Sequence, residues 1–274
     1  MNIKVLEKIE MTKEQVKRIE ELGKVSWFAN SSDEECKERI KDADVVVVDW
    51  IDPSAFILSM SSPSLLALMS TGFTWIQHRA EARSKNILIS NIPGYATEAV
   101  AEHVLGLTLC VARQTMMGDR NIRAGKKEKG HIVGIELKNR KLGIIGLGRI
   151  GSRVAEIAQC LGMAVVTYNR HPKKIKGIVE LPLDELLSSC DVVCICCPLN
   201  DDSKGMLNKD RLSLMKKDAI LVGTTWDVVV LDDLISALKN GYLFGAGFDV
   251  AIEGGEIALP EAFTELQNIV LTPH

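Results

Sequence analysis

Long apolar runs are missing from this 274-residue chain. A membrane-crossing helix needs about 18 consecutive apolar residues, and the longest candidate, 104–112, is half that length and carries Thr108. Residues 1–6 lack the apolar core of a secretory leader, so a cytoplasmic location is expected. Cysteine is too sparse, at seven residues, for a disulfide scaffold. Three of the seven fall in the run 194–197, which reads as a buried strand. Successive strand side chains point to opposite faces, so no metal site is expected there. An excess of positive charge is also absent: 33 Lys and Arg against 36 Asp and Glu leave a net charge of −3, which argues against a broad nucleic-acid surface. The five histidines (78, 103, 131, 171 and 274) have no ligand spacing, and no G-x-S-x-G occurs, so a metal enzyme and a serine hydrolase are not expected. His103 is expected to serve in packing or as a hinge. Disorder is excluded by 46% hydrophobic and 25% charged residues.

What is present is an alternation of short apolar runs with amphipathic stretches. Strands are expected at 3–6, 44–48, 65–69 and 87–90, with a helix over 12–22 that opens at Thr12. A long apolar helix is expected from 97 to 113, and 114–140 reads as a loop or second helix. A new series of strands follows at 142–145, 164–168, 191–196, 219–222, 243–249 and 269–272. This β-α-β order predicts an α/β protein with parallel sheets covered by helices on both faces. Asn91-Ile92-Pro93-Gly94 punctuates the chain, and a boundary is placed there, between a small domain of residues 1–92 and a larger one of 93–274.

The chemical centre of the sequence is Gly146-Leu147-Gly148-Arg149-Ile150-Gly151. A G-x-G-x-x-G on its own is weak evidence, but here a buried strand precedes it, a helix follows, and a second strand ends about twenty residues on. Gly146 permits a tight turn, Gly148 lets backbone approach a pyrophosphate, and Gly151 lets helix and strand pack closely. N–H groups at the helix start, those of Arg149 and Ile150 among them, then face the phosphates. The end of the second strand selects the coenzyme. An acid there would accept from the ribose of NAD and repel the 2′-phosphate of NADP. This chain has Asn169 and then Arg170, His171, Lys173 and Lys174. The reading is NADP, with Asn169 hydrogen bonding and Arg170 offering a planar fork to phosphate, and NAD as the alternative.

Taken together, the blocks resemble the D-isomer-specific 2-hydroxyacid dehydrogenase family, near its glyoxylate and hydroxypyruvate reductases, over nearly all the chain beyond residue 60. The resemblance is carried by Thr71-Gly72-Phe73, by 91–103 and by 136–151 with Leu161-Gly162-Met163. It continues through Cys197-Pro198-Leu199, Met215-Lys216, 245–250 and Leu271-Thr272-Pro273-His274. It implies a Rossmann-type doubly wound domain beside a smaller flavodoxin-like α/β substrate domain. Hydride transfer between a nicotinamide coenzyme and a small D-2-hydroxy or 2-oxo acid is implied, as is a homodimer. The resemblance further implies that Pro198, Thr225 and Asp249 join the coenzyme site, with Asp249 on the nicotinamide amide. Thr71, Gly72 and Phe73 would meet substrate, and His274 would handle the hydroxyl proton.

The departures cluster where substrate would bind. The position of the family's carboxylate-holding arginine falls on Trp226, and no arginine occurs after Arg211. Tryptophan cannot pair bidentately with a carboxylate, although its face can stack on an aromatic ligand. The position of the glutamate that tunes the histidine falls on Gly254, flanked by Glu253 and Glu256, of which Glu253 is the candidate. The resemblance also implies a segment after His274 that returns to the small domain, so whether the natural chain continues stays open. Two readings remain: an NADP-linked oxidoreductase for a small 2-hydroxy or 2-oxo acid, and a catalytically impaired NADP-binding homologue acting as a sensor or partner protein.

Overall fold

Strand pairing is parallel throughout the described part of the protein. The computed structural model describes residues 1–73, 76–126, 132–172, 175, 177–250 and 261–273. The chain divides into two units, Met1–Tyr95 and Ala96–His274.

The first unit contains β1 (Asn2–Val5), α1 (Lys13–Glu20), β2 (Lys24–Trp27), α2 (Asp33–Arg39), β3 (Val45–Val48), β4 (Ser64–Leu68), α3 (Arg79–Ser84) and β5 (Ile87–Ser90). Its sheet order is β2-β1-β3-β4-β5, the flavodoxin-like doubly wound order. Both longer helices begin at reciprocal caps. Thr12 and Gln15 bond each other's backbone at the start of α1, and Ser32 and Glu35 do the same for α2, which satisfies donors a helix start leaves open. The expected helix over 12–22 thus starts where Thr12 places it. β2 was not expected: half of Lys24-Val25-Ser26-Trp27 is polar, and the strand exists by pairing with β1 at the sheet edge.

The second unit opens with α4 (Thr97–Arg113) and α5 (Thr115–Arg123), the latter within the stretch read as loop or helix. It continues through β6 (Lys141–Ile145), α6 (Arg149–Cys160), β7 (Ala164–Tyr168), β8 (Val179–Glu180), α7 (Leu183–Ser189) and β9 (Val192–Ile195). It closes with α8 (Lys209–Leu214), β10 (Ile220–Gly223), α9 (Leu231–Lys239), β11 (Gly245–Val250) and β12 (Ile269–Pro273). The sheet order is β12-β11-β10-β9-β6-β7-β8. Six of these strands follow the Rossmann order, and the direction of winding reverses between β6 and β9.

The strand period of two divides this sheet's core between its faces. Val193 and Ile195 pack with α7, α8 and α9 through Leu186, Leu212 and Leu234. Val192 and Cys194 pack with α4 and α6 through Val104 and Val154. Each such large apolar side chain contributes about 1.5–3 kcal/mol on burial. Because β9 and β10 are buried on both faces, they read as continuous apolar runs. The result is a rigid platform whose loops emerge at the carboxyl ends of the strands, where a ligand crevice forms in such sheets.

Candidate functional site

The turn after β6 lies where the strand order reverses. Gly146 holds φ +97°, a left-handed conformation that favours glycine, and a Cβ on it would sit 2.7 Å from the backbone nitrogen of Cys197. A Cβ on Gly151 would sit 2.2 Å from the Gly146 carbonyl oxygen, so the bare glycine is what lets α6 start against the strand. Gly148 differs from both. A Cβ there would meet no protein atom within 4 Å. Gly148 therefore faces open space, where the backbone can be approached closely. Gly148 caps α6 without a side-chain hydrogen bond, and the first turn of α6 carries no acid. The backbone N–H groups of Arg149, Ile150 and Gly151 belong to that first turn, which has no intrahelical acceptors, and the helix dipole adds partial positive charge. A diphosphate fits this cradle: open space, aligned donors and no competing carboxylate.

Asn169 at the end of β7 is tied into the turn. Its Oδ1 accepts from the Leu147 N–H at 2.6 Å, and its amide nitrogen donates to Glu180 Oε1 at 3.3 Å. The side chain read as a ribose contact thus also staples the glycine turn to the second strand. Arg170 is exposed and paired with Asp202 in the loop after β9. Lys173 and Lys174 lie outside the described residues.

The next strand ends bring the remaining positions to the same edge of the sheet. Pro198 follows β9, and its carbonyl accepts from the Ser203 hydroxyl at 2.8 Å. The cysteines beside it pack in or against the core. Cys194 Sγ lies 3.3 Å from Cys196 Sγ. That contact and burial raise the Cys194 thiol well above its usual range, and burial pushes Cys197 up to about 11. Among the described residues no group of three or more His, Cys, Asp or Glu side chains could hold a metal ion. Thr225 and Trp226 follow β10. Expected to present its face to a ligand, the Trp226 ring is half-buried against the core and stacks on Phe263, with centroids 6.4 Å apart and planes at 28°. The apolar ring is drawn to the nearest apolar surface, as its hydrophobic area requires. Asp249 stands at the end of β11, opposite Thr272 of β12, whose hydroxyl donates to Asp249 Oδ1 at 2.7 Å. His274, Glu253, Gly254 and Glu256 lie outside the described residues.

Thr71, Gly72 and Phe73 form the loop after β4 of the first unit. Thr71 Oγ1 donates to the Ile92 carbonyl at 3.2 Å, and the Asn91 amide nitrogen donates to the Thr71 carbonyl at 2.7 Å, so the loop is sewn to the segment after β5. At the winding reversal of this sheet, Glu7 fills the crevice. Its buried carboxylate accepts from the backbone N–H groups of Asp49, Trp50 and Ile51 at 2.8, 3.0 and 3.0 Å. Those three backbone donors are taken by the chain itself.

Two of these features escaped the sequence. Glu7 carries no local signal, because its partners lie more than forty residues away. His103, read as packing or hinge, places Nε2 2.8 Å from Thr272 Oγ1. That contact joins residues 169 apart in sequence, a separation no periodicity reports.

Residues 105–274 match the family model described as the D-isomer specific 2-hydroxyacid dehydrogenase NAD binding domain. A glyoxylate reductase of Pyrococcus furiosus is 36% identical over 258 residues, covering 88% of this chain and 75% of that protein. A glyoxylate reductase of Korarchaeum cryptofilum is 35% identical over 248 residues, covering 86% of this chain and 74% of that protein. Among solved structures, an acyclic imino acid reductase in complex with NADPH and D-Arg superimposes with a TM-score of 0.89 at 29% identity, covering 100% of this chain and 89% of that one.

Proposed function

The chain belongs to the D-isomer specific 2-hydroxyacid dehydrogenases, oxidoreductases that use a nicotinamide coenzyme, and we propose that within this family it works as an NADP-linked reductase of a small 2-oxo acid. The observation that carries the reading is the glycine turn: Gly148 opens onto empty space beside the unpaired start of α6, while Gly146 and Gly151 are closed against protein. The preference for NADP rests on Asn169 in place of an acid and on the neighbouring Arg170 guanidinium, which must exchange Asp202 for the phosphate. The complex of a 29% identical relative with NADPH supports it.

A bound nicotinamide coenzyme supplies the hydride. The backbone N–H groups of Arg149 and Ile150 hold its diphosphate, Pro198 and Thr225 line its path, and Asp249 accepts from the nicotinamide amide. His274 delivers the proton to the substrate oxygen and Glu253 sets its basicity, since a group titrating near neutrality is what such a step needs. Thr71, Gly72 and Phe73 hold the substrate. A homodimer is supported by the exposed Leu109, Met116 and Ile122 of α4 and α5.

Trp226 favours a second reading, a coenzyme-binding homologue with impaired catalysis. Its ring cannot replace a guanidinium on a carboxylate, and charged hydrogen bonds of that kind are worth about 1.5–3 kcal/mol each. Titration with NADPH and NADH, followed by coenzyme oxidation with glyoxylate and hydroxypyruvate at high protein concentration, separates the readings. The reductase reading expects NADPH to bind more tightly and turnover to be measurable. Trp226→Arg is expected to raise glyoxylate reduction about tenfold or more. Equal affinity for the two coenzymes sinks the NADP preference, and binding without turnover on any 2-oxo acid favours the second reading.

A further inference from the structure

Asp249 and Thr272 are register partners at the carboxyl ends of β11 and β12. The Thr272 hydroxyl has one proton, and it is donated to Asp249 Oδ1 at 2.7 Å. His103 Nε2 lies 2.8 Å from the same hydroxyl oxygen and 3.5 Å from Asp249 Oδ1. With the hydroxyl proton committed, the Thr272 oxygen can only accept from His103, so Nε2 carries a hydrogen. The chain of donation runs from imidazole to hydroxyl to carboxylate, and each bond polarises the next.

The helix that carries the imidazole is firmly placed. α4 rests on β11, where Gly247 has no side chain; a Cβ there would lie 3.1 Å from Leu107 Cβ. Leu107 is one helical turn beyond His103, so packing on the sheet sets the height at which the imidazole meets the strand ends. Fixed backbone on all three elements makes this a built arrangement.

We propose that His103 is a positioning residue for the nicotinamide end of the coenzyme, acting through Thr272 to hold the Asp249 carboxylate in one orientation. The inference rests on the assignment of Asp249 to the nicotinamide amide. A carboxylate with one oxygen pinned by a hydroxyl loses rotational freedom before the coenzyme arrives, so less ordering is left for binding. His103 touches neither coenzyme nor substrate in this scheme.

The test compares ligands that differ only in the nicotinamide. The full chain and the variants His103→Leu, His103→Gln and Thr272→Val are titrated with NADPH against 2′-phospho-ADP-ribose, and with NADH against ADP-ribose. His103→Leu and Thr272→Val are expected to weaken the complete coenzymes about tenfold while leaving the ADP-ribose ligands within about twofold. His103→Gln, whose amide nitrogen offers a donor at similar reach, is expected to retain the affinity of the parent. Equal weakening of both ligand classes would mean a general structural role and overturns the proposal, as does unchanged coenzyme affinity in both variants. Thr272→Val is nearly isosteric and keeps the test decisive where His103→Leu folds poorly. If the unsubstituted chain binds the ADP-ribose ligands as tightly as the complete coenzymes, the assignment of Asp249 fails instead, and the variants are not needed to show it.

Discussion

Adding one methyl group at either of two neighbouring glycines should separate folding from coenzyme binding. Gly151→Ala would place Cβ 2.2 Å from the Gly146 carbonyl oxygen and 3.2 Å from Ile144 Cγ2, both on parts that cannot swing aside. The start of α6 has to move off β6, and overpacking of this kind costs about 1–3 kcal/mol. For a unit of this size that corresponds to a fall in Tm of roughly 2–12 °C. Gly148→Ala presents the opposite case. Its φ of −82° and ψ of −160° suit alanine, and the new Cβ meets no protein atom within 4 Å. The Tm should hold within about 2 °C. The new methyl occupies the space read as the diphosphate's, so coenzyme affinity should fall by about tenfold or more, which is about 1.4 kcal/mol. Differential scanning calorimetry and isothermal titration on the same samples measure both quantities. A Gly148→Ala protein with unchanged Tm and unchanged coenzyme affinity would refute the placement of the diphosphate, whatever Gly151→Ala does.

Two further outcomes concern stability. Asp191 binds the Lys141 backbone N–H at 2.8 Å and lies 3.1 Å from Lys216 Nζ; burial alone would raise its pKa, but these contacts and Arg140 outweigh it and hold the carboxyl below the usual 3.8. A lowered pKa in the folded state stabilises above the unfolded value and is lost as the pH falls below it, so Asp191→Asn should cost about 1–2 kcal/mol in urea unfolding at pH 7 and nothing at low enough pH; a pH-independent difference would refute the charge as cause. Glu7→Ala removes the acceptor of three backbone N–H groups and should lower stability by about 2–4 kcal/mol, with Glu7→Gln milder because one oxygen remains; a loss in Glu7→Ala below about 0.5 kcal/mol, within the usual scatter of surface substitutions, would show that water serves those donors equally well.

Features that depend on neighbours in sequence were legible, and features that depend on neighbours in space were not. The valine run that becomes β3 and the apolar runs of β9 and β10 announce strands because burial on both faces leaves no polar position to interrupt them. α4 runs over Thr97–Arg113, as its apolar stretch predicts. The glycine turn was readable for the same reason: the tight turn, the open approach and the close packing are requirements on six consecutive residues. Edge strands β2 and β8 were invisible because polar residues are tolerated where one side meets water, and only pairing makes them strands. The site shows the limit more sharply. Comparison of motifs identifies the side chain at position 226, yet only the fold determines that its ring lies on Phe263, beyond a stretch of more than thirty residues. Likewise Asn169 looks in sequence like a group waiting for a ribose, while in space it already accepts from Leu147. A polar side chain at a ligand-binding edge has to satisfy the protein first, and its capacity for a ligand is what those bonds leave over. Substitutions at such positions therefore change the scaffold and the recognition together, and coenzyme affinity alone cannot assign the effect.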